Sequence, residues 1–250
     1  MTQALGIDIG GTGIKGAIVD TDTGKLVSER MKIATPKSGK PDAIVKVVIE
    51  LIEKLGGIPE SMPVGVCFPA IVRNGKTMSA ANISKEWIGL EAEALFEKAL
   101  GRDIHFVNDA DAAGVAEVRY GAAKGVPGLI LLTTLGTGIG SALIYNGTLV
   151  PNSELGHLTI GRRDAEKGAS FSAKERQRLS WKAWAKRLQR YYTHLELLFS
   201  PDLFLVGGGV SKSYEKFLPL LKLKTPIVPA KLRNNAGILG AAALAVKEQQ

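Results

Sequence analysis

The sequence predicts an α/β fold built from two duplicated domains with a cleft between them. Three observations carry that expectation. A strand–glycine turn–strand unit occurs twice: residues 5–9 and 14–19 flank Gly10-Gly11-Thr12-Gly13, and residues 129–135 and 141–145 flank Gly136-Thr137-Gly138-Ile139-Gly140. Repetition of one unit at the head of two successive segments indicates internal duplication. After the first unit, strand and helix signals follow in the order β-β-β-α-β-α-β, the pattern of an α/β domain. The small apolar run 236–246 reads as a helix that packs back on the first domain. The domains are therefore expected at 1–107 plus 237–250, and at 108–236.

The opening unit sets the chemistry. Glycine leaves no Cβ in the way, so a tight hairpin fits between the strands, and its amide N–H groups can converge on an anion. Asp8 stands just before the turn. A carboxylate beside a phosphate cradle makes sense when a divalent cation lies between them; Thr12 adds a hydroxyl and Lys15 a positive charge. The turn runs into a strand rather than a helix, which separates it from nucleotide-binding Walker and dinucleotide loops.

Residues 26–34 read as a third strand and 36–41 as a loop. In 42–55, Ile44, Val45, Val48, Leu51, Ile52 and Leu55 follow a helical period that Gly56-Gly57 ends. A short buried strand at 64–68 stops at Pro69; a helix at 90–100 ends at Gly101, and 104–107 is again a strand. Asn108 and Asp109 follow at once, opening a helix that runs to about Tyr120. A carboxylate at the end of a sheet strand lies where ligand clefts form. Asp109 also suits a helix N-cap, and the two roles are compatible.

Residues 169–199 read as one long helix. Trp181, Trp184, Leu188, Tyr191, Leu195 and Leu198 form its apolar stripe, a core or dimer face. Lys174, Arg178, Lys182, Lys186 and Arg190 recur every four residues and slant around it. Between Lys174 and Arg233 there are 13 Lys/Arg against 4 Asp/Glu, whereas the whole chain carries only +8, so the entire basic excess lies in this window. Such asymmetry suggests a polyanionic partner. A strand at 204–206 and a short helix at 214–221 complete the region.

With 45% apolar and 22% charged residues, the composition is that of a soluble globular protein. No apolar run reaches membrane-spanning length, and the amino terminus enters the first strand too directly for a signal peptide. Cys67 is the only cysteine, which excludes an intrachain disulfide and a cysteine-based structural zinc site. A reducing cytoplasm fits this usage.

Asp8-Ile-Gly-Gly-Thr-Gly13, Asn108-Asp109, Leu135-Gly-Thr-Gly-Ile-Gly140, Glu154-Leu-Gly-His157 and Val206-Gly-Gly-Gly209 occur together in that order. The set, which spans essentially the whole chain, resembles the ROK-type sugar kinases of the hexokinase–actin–Hsp70 superfamily. The resemblance implies duplicated RNase H-like domains of the actin/hexokinase type. More narrowly, Ser79-Ala-Ala-Asn82, Phe199–Val206 and residues 225–234 are similar to bacterial polyphosphate glucokinases, including polyphosphate/ATP glucomannokinases. Many ROK kinases place a cysteine-rich zinc motif shortly after Glu-x-Gly-His, and 158–167 contains none.

The resemblance implies phosphoryl transfer to the C6 hydroxyl of glucose, with mannose as a second sugar and Asp109 as general base. It assigns sugar contacts to Asn82, Asn108, Asp109, Glu154, His157 and Glu166, with Asp164 the rival to Glu166. It assigns the donor's phosphates to Gly10, Gly11, Thr12, Gly13, Lys15, Gly136, Thr137 and Gly138, and the nucleoside end of ATP to Gly208 and Gly209. Mg²⁺ is expected at Asp8, through water, and domain closure is expected to expel water. Inorganic polyphosphate, charged at every unit, rewards an extended basic track where ATP needs a local clamp. The family is commonly homodimeric. An ATP-only hexose or N-acetylhexosamine kinase is the alternative within the family. A ROK-type repressor would need a DNA-binding segment ahead of residue 5, and no signature supports nucleic-acid binding through the basic window.

Overall fold

The computed structural model describes residues 2–80 and 83–246. The chain divides into two compact units, residues 1–116 with 235–250 and residues 117–234, so most of the helix that Asp109 opens goes with the first unit. None of the described helices is long and apolar enough to cross a membrane.

In the first unit, β1 (Gln3–Ile9) and β2 (Ile14–Asp20) form the antiparallel hairpin around the first glycine turn. The expected third strand is two short ones, β3 (Lys25–Leu26) and β4 (Met31–Ile33), both paired with β2. The polar stretch between them interrupts the ladder: Ser28 Oγ accepts the Ile18 N–H at 2.9 Å in place of a backbone partner. Then come α1 (Pro41–Lys54), β5 (Val64–Phe68), the small hairpin β6 (Val72–Arg73) and β7 (Lys76–Thr77), α2 (Ala92–Leu100), β8 (His105–Asn108) and α3 (Asp109–Tyr120). The sheet order is β3-β2-β1-β5-β8, with β5 and β8 parallel to β1.

The unit's core lies between α1 and α2 and the sheet, where Ile7, Ile9, Ile44, Val48, Leu51, Phe68, Trp87 and Phe96 are fully buried. Each such side chain contributes roughly 1.5–3 kcal/mol by leaving water. The carboxyl-terminal helix (Ala236–Ala245) packs against β1 and β5 at backbone distance. A Cβ on Gly65 would lie 1.9 Å from the Ala241 carbonyl oxygen, and one on Gly240 would lie 1.7 Å from that of Ala112.

The second unit repeats the plan. β9 (Leu129–Leu135) and β10 (Ile139–Tyr145) flank the second glycine turn as an antiparallel hairpin, and β11 (Thr148–Val150) extends it. A short hairpin follows, β12 (Thr159–Ile160) with β13 (Arg163–Asp164), then α4 (Ala165–Ala169), α5 (Phe171–Arg176), α6 (Trp181–Phe199), β14 (Leu203–Gly207) and β15 (Ile227–Pro229). The sheet order β11-β10-β9-β14-β15, with β14 parallel to β9 and to β15, matches that of the first unit strand for strand.

The long helix expected over 169–199 is broken. Ser170 and Ser180 each cap a helix, accepting the Ala173 and Ala183 N–H groups at 3.2 Å, and Arg178 between them has φ 49°. The break divides the basic series. Lys174 is nearly buried, its Nζ 4.4 Å from the Trp181 ring centre and 2.8 Å from Glu175, while Lys182, Lys186 and Arg190 remain exposed on α6. Trp184, Leu188, Tyr191 and Leu195 are fully buried in this unit's own core, but Leu198 is exposed. The helix expected at 214–221 is two 3-10 turns, Gly209–Lys216 and Leu218–Leu220.

Gly65→Ala is expected to lower stability by about 1–3 kcal/mol or more, because backbone rather than a flexible side chain blocks the new methyl. The midpoint of urea unfolding reads this; an unchanged midpoint would mean that the helix can move away at no cost.

Candidate active site

Three parallel strands of the first unit deliver functional groups to one level. Pairing of β1 with β5 sets Asp8 beside Cys67, and pairing of β5 with β8 sets Cys67 beside Val107 and Phe68 beside Asn108. All lie at the carboxyl ends of their strands, where open α/β sheets bind ligands. Asp109 follows as the first residue of α3, half-buried. The helix N-terminus favours negative charge there.

Asn108 caps this helix: its Oδ1 accepts the N–H groups of Ala110 at 2.8 Å and Asp111 at 3.0 Å, and its Nδ2 donates to the Ala70 carbonyl at 2.9 Å. One amide N–H of Asn108 remains for a ligand. The Asp109 carboxylate stands near Cys67, whose thiol feels both it and Asp8. Burial, reinforced by these two charges, pushes the Cys67 thiol well above its ordinary value, so it stays protonated and inert.

The first glycine turn closes with the Gly10 N–H donating to the Gly13 carbonyl at 3.1 Å, and the second with Gly136 donating to Gly138 at 3.1 Å. None of these four glycines has φ in the left-handed region. Close approach bears on Gly13 and Gly138: a Cβ on Gly13 would lie 2.7 Å from the Lys32 side chain, and one on Gly138 would lie 2.5 Å from Glu166 Oε2. Gly11, Thr12 and Thr137 are exposed, so each turn is open to solvent at its tip, and a Cβ on Gly136, or on Gly209 in the third cluster, would meet nothing within 4 Å. Gly208, at φ 81°, lies against Leu135 at the end of β9, which sets the third glycine cluster beside the second turn.

Lys15 sits directly across the hairpin from Asp8, and its Nζ is 2.7 Å from Asp8 Oδ2. The two expected ligand contacts are therefore also partners of each other. Among the described residues no three His, Cys, Asp or Glu side chains are grouped to hold a metal ion. The donor set at Asp8 fits a hydrated Mg²⁺, which typically takes one or two carboxylates and completes its shell with phosphate oxygens and water.

In the second unit, Glu154, His157 and Glu166 fall close together. His157 Nε2 lies 3.9 Å from Glu154 Oε2, and its Nδ1 lies 3.8 Å from Asp164 Oδ2. Glu166 Oε2 is 3.4 Å from the Ile139 nitrogen, beside the second turn. The segment that lacks cysteines is held by the β12–β13 hairpin and by the Ala165 N–H donating to the Leu158 carbonyl at 2.8 Å. Asp164, the rival to Glu166, instead faces the His157 ring and Lys167. Ser141 fixes the start of the Glu154–His157 segment, its Oγ donating to the Ser153 carbonyl and accepting the Leu155 N–H. The sequence reading missed this bracing serine, because nothing in its spacing marks it. Burial pushes the Glu154 carboxyl above the usual range; His157 works against the rise and Glu166 adds to it. Asn82 lies outside the described residues.

This arrangement, a duplicated strand–turn–strand sheet with glycine turns and carboxylates at the strand ends, is that of a sugar-kinase-like phosphotransferase fold, and residues 4–170 match the family model described as "ROK family". The chain belongs to the ROK family. It is 48% identical over 247 residues to the polyphosphate glucokinase of Mycobacterium tuberculosis, covering 98% of this chain and 92% of that protein. The crystal structure of the inorganic polyphosphate/ATP-glucomannokinase from Arthrobacter sp. strain KM superposes with a TM-score of 0.93 at 52% identity, covering 98% of each chain. A ROK family glucokinase from Streptomyces griseus, solved in complex with glucose and AMPPNP, shares the fold with a TM-score of 0.81 at 24% identity, covering 97% of this chain and 98% of that one.

Because the folded Glu154 carboxyl titrates above its unfolded value, its charge costs stability as pH rises through the folded value, and the cost is absent below the unfolded value of about 4.3. Glu154→Gln is therefore expected to raise Tm near neutral pH and to leave it unchanged in acid below about pH 4. Thermal unfolding at the two pH values checks this; a lower Tm for the variant at neutral pH would contradict it.

Proposed function

We propose that the chain is a polyphosphate-dependent glucokinase, transferring a phosphoryl group from inorganic polyphosphate, and also from ATP, to the 6-hydroxyl of glucose, with mannose as a second acceptor. The observation that carries the proposal is the near-complete alignment, at 48% identity, with a protein named polyphosphate glucokinase. The likeness to a polyphosphate/ATP-glucomannokinase supports it.

In this reading Asp109 accepts the proton of the attacking hydroxyl as the O–P bond forms. A positioned base of this kind contributes about 10²–10⁴ in rate. Its carboxylate stands half-buried at the first residue of α3, one position beyond the end of β8, which suits the role. Asn82, Asn108, Glu154, His157 and Glu166 recognise the sugar; each hexose hydroxyl both donates and accepts, and this mix supplies both kinds of partner. Leaving one buried polar group unpaired costs about 1–3 kcal/mol, enough to discriminate between epimers.

The turns Gly10–Gly13 and Gly136–Gly138, exposed at Gly11, Thr12 and Thr137, hold the donor's phosphates with Lys15, and Gly208 and Gly209 lie toward the nucleoside when ATP is the donor. Asp8 holds Mg²⁺ through water, and the ion neutralises charge on the transferring group. Lys182 and Lys186 on α6, with Lys212, Lys222 and Lys224, all exposed, provide the basic surface for a long polyphosphate chain. The reaction is placed in the cytoplasm, and the enzyme acts as a homodimer.

A coupled glucose 6-phosphate assay with long-chain polyphosphate, ATP or neither tests the reading: product is expected with each donor and none without. Asp109→Asn is expected to lower kcat at least about 10²-fold while glucose binding by calorimetry is retained; near-normal turnover would remove Asp109 as the base. Raising salt is expected to increase KM for long polyphosphate more steeply than KM for ATP. Equal, shallow slopes would remove the basic track.

A further inference from the structure

A cavity of about 190 Å³ lies wholly within the second unit, bordered by the β12–β13 hairpin, α4 and α6. Arg163, Asp164, Gly168, Arg187, Arg190 and Tyr191 line it. The lining is strongly cationic and its cations are under-used. Among the described residues no carboxylate pairs with Arg163 or Arg190, and Arg187 gives one N–H to the Gly168 carbonyl at 3.0 Å. Asp164 does not neutralise them, because Lys167 Nζ stands 3.4 Å from its Oδ2 and the His157 ring 3.8 Å.

The second observation is independent of charge. Tyr191 is fully buried and its hydroxyl has no hydrogen-bond partner. Its ring packs edge-on against Tyr192, whose own hydroxyl bonds to Thr133 at 2.6 Å. Buried hydroxyls without a partner are uncommon in folded proteins, and this one belongs to a residue that lines a cationic cavity. Arg163 and Arg190 are exposed and Tyr191 is buried, so the lining runs from arginines at the solvent side to a tyrosine within.

We propose that this cavity binds a phosphoryl oxyanion, with the guanidinium groups of Arg163, Arg187 and Arg190 and the hydroxyl of Tyr191 as donors. Guanidinium forks match the spacing of phosphate oxygens. A phosphate group carries a charge of about −1.5 to −2 and several acceptor oxygens, which suits three arginines better than a carboxylate does. The volume takes one such group with water and is below the roughly 300 Å³ at which sites for larger molecules begin. None of the lining residues belongs to the glycine turns, so the site is additional to the donor-binding one. Two sources offer this chemistry: free inorganic phosphate, and the terminal unit of a polyphosphate chain, which keeps a second ionisable oxygen that internal units lack.

The test titrates inorganic phosphate calorimetrically into the full chain, already saturated with Mg²⁺ and a non-hydrolysable ATP analogue to fill the donor site. The wild type is expected to bind phosphate. Arg163→Gln combined with Arg190→Gln is expected to weaken that binding by at least about tenfold. Tyr191→Phe is expected to weaken it about threefold or more without lowering Tm, since it removes only the unpartnered hydroxyl; this guards against a variant that misfolds. No phosphate binding by the wild type, or wild-type affinity in both variants, overturns the proposal. Kinetics with the double-arginine variant then separates the sources. A rise of about fivefold or more in KM for long polyphosphate, with KM for ATP unchanged, identifies a chain unit, whereas two unchanged KM values identify free phosphate. Because the calorimetry needs no turnover, it stands or falls apart from the glucokinase reading.

Discussion

In-register parallel pairing of β1, β5 and β8 is the constraint on which the chemistry of the first unit depends. It brings Asp8, Cys67 and Asn108 to one level, and Asp109 one residue beyond. A slip of one residue would turn every side chain of the slipped strand to the other face. The carboxyl-terminal helix secures this register from one side, approaching Gly65 so closely that no side chain fits between. A segment distant in sequence thereby fixes the geometry of the strand ends, and Gly237 lets the same helix come up to Asp8 and Cys67, a Cβ there lying 3.0 Å from the Asp8 carboxyl carbon.

The second unit solves a different problem. Its Glu154–His157 segment and α4 carry three polar groups that must hold fixed positions without a cysteine-bound metal behind them. Hydrogen bonds and a nearby carboxylate do this instead. Ser141 ties the segment to β10, the β12–β13 hairpin returns the chain to α4, and Asp164 faces the rear nitrogen of His157 while Glu166 reaches the second turn. Placing one carboxylate on each side of the imidazole favours a single ring orientation. Desolvation of Glu154 is the cost of keeping that cluster together.

The fold was largely legible because its strands are short apolar runs bounded by glycine or proline, as at Val64–Phe68 and Leu129–Leu135, and because the glycine turns recur. The boundaries that differ have local polar causes. Ser28 takes a backbone N–H of β2 and splits the third strand. The apolar and basic periods run on across residues 177–180, so periodicity alone hides the break that Arg178 and the Ser180 cap impose. Lys174 illustrates a further limit: a lysine in a basic series reads as surface, yet this one lies over an aromatic ring. In the site, residue types in ordered motifs nominate the groups, but not their partners. Lys15 pairing with Asp8, Asn108 capping α3, and the orphan hydroxyl of Tyr191 are matters of register and packing that one-dimensional spacing does not encode.

The account turns on the position of the sugar relative to Asp109. A crystal structure of the chain with bound glucose measures this directly. The account predicts the C6 hydroxyl within hydrogen-bond distance of the Asp109 carboxylate, with Asn108 contributing its remaining N–H to the ligand. Glucose bound elsewhere, with its C6 hydroxyl turned away from Asp109, would contradict it.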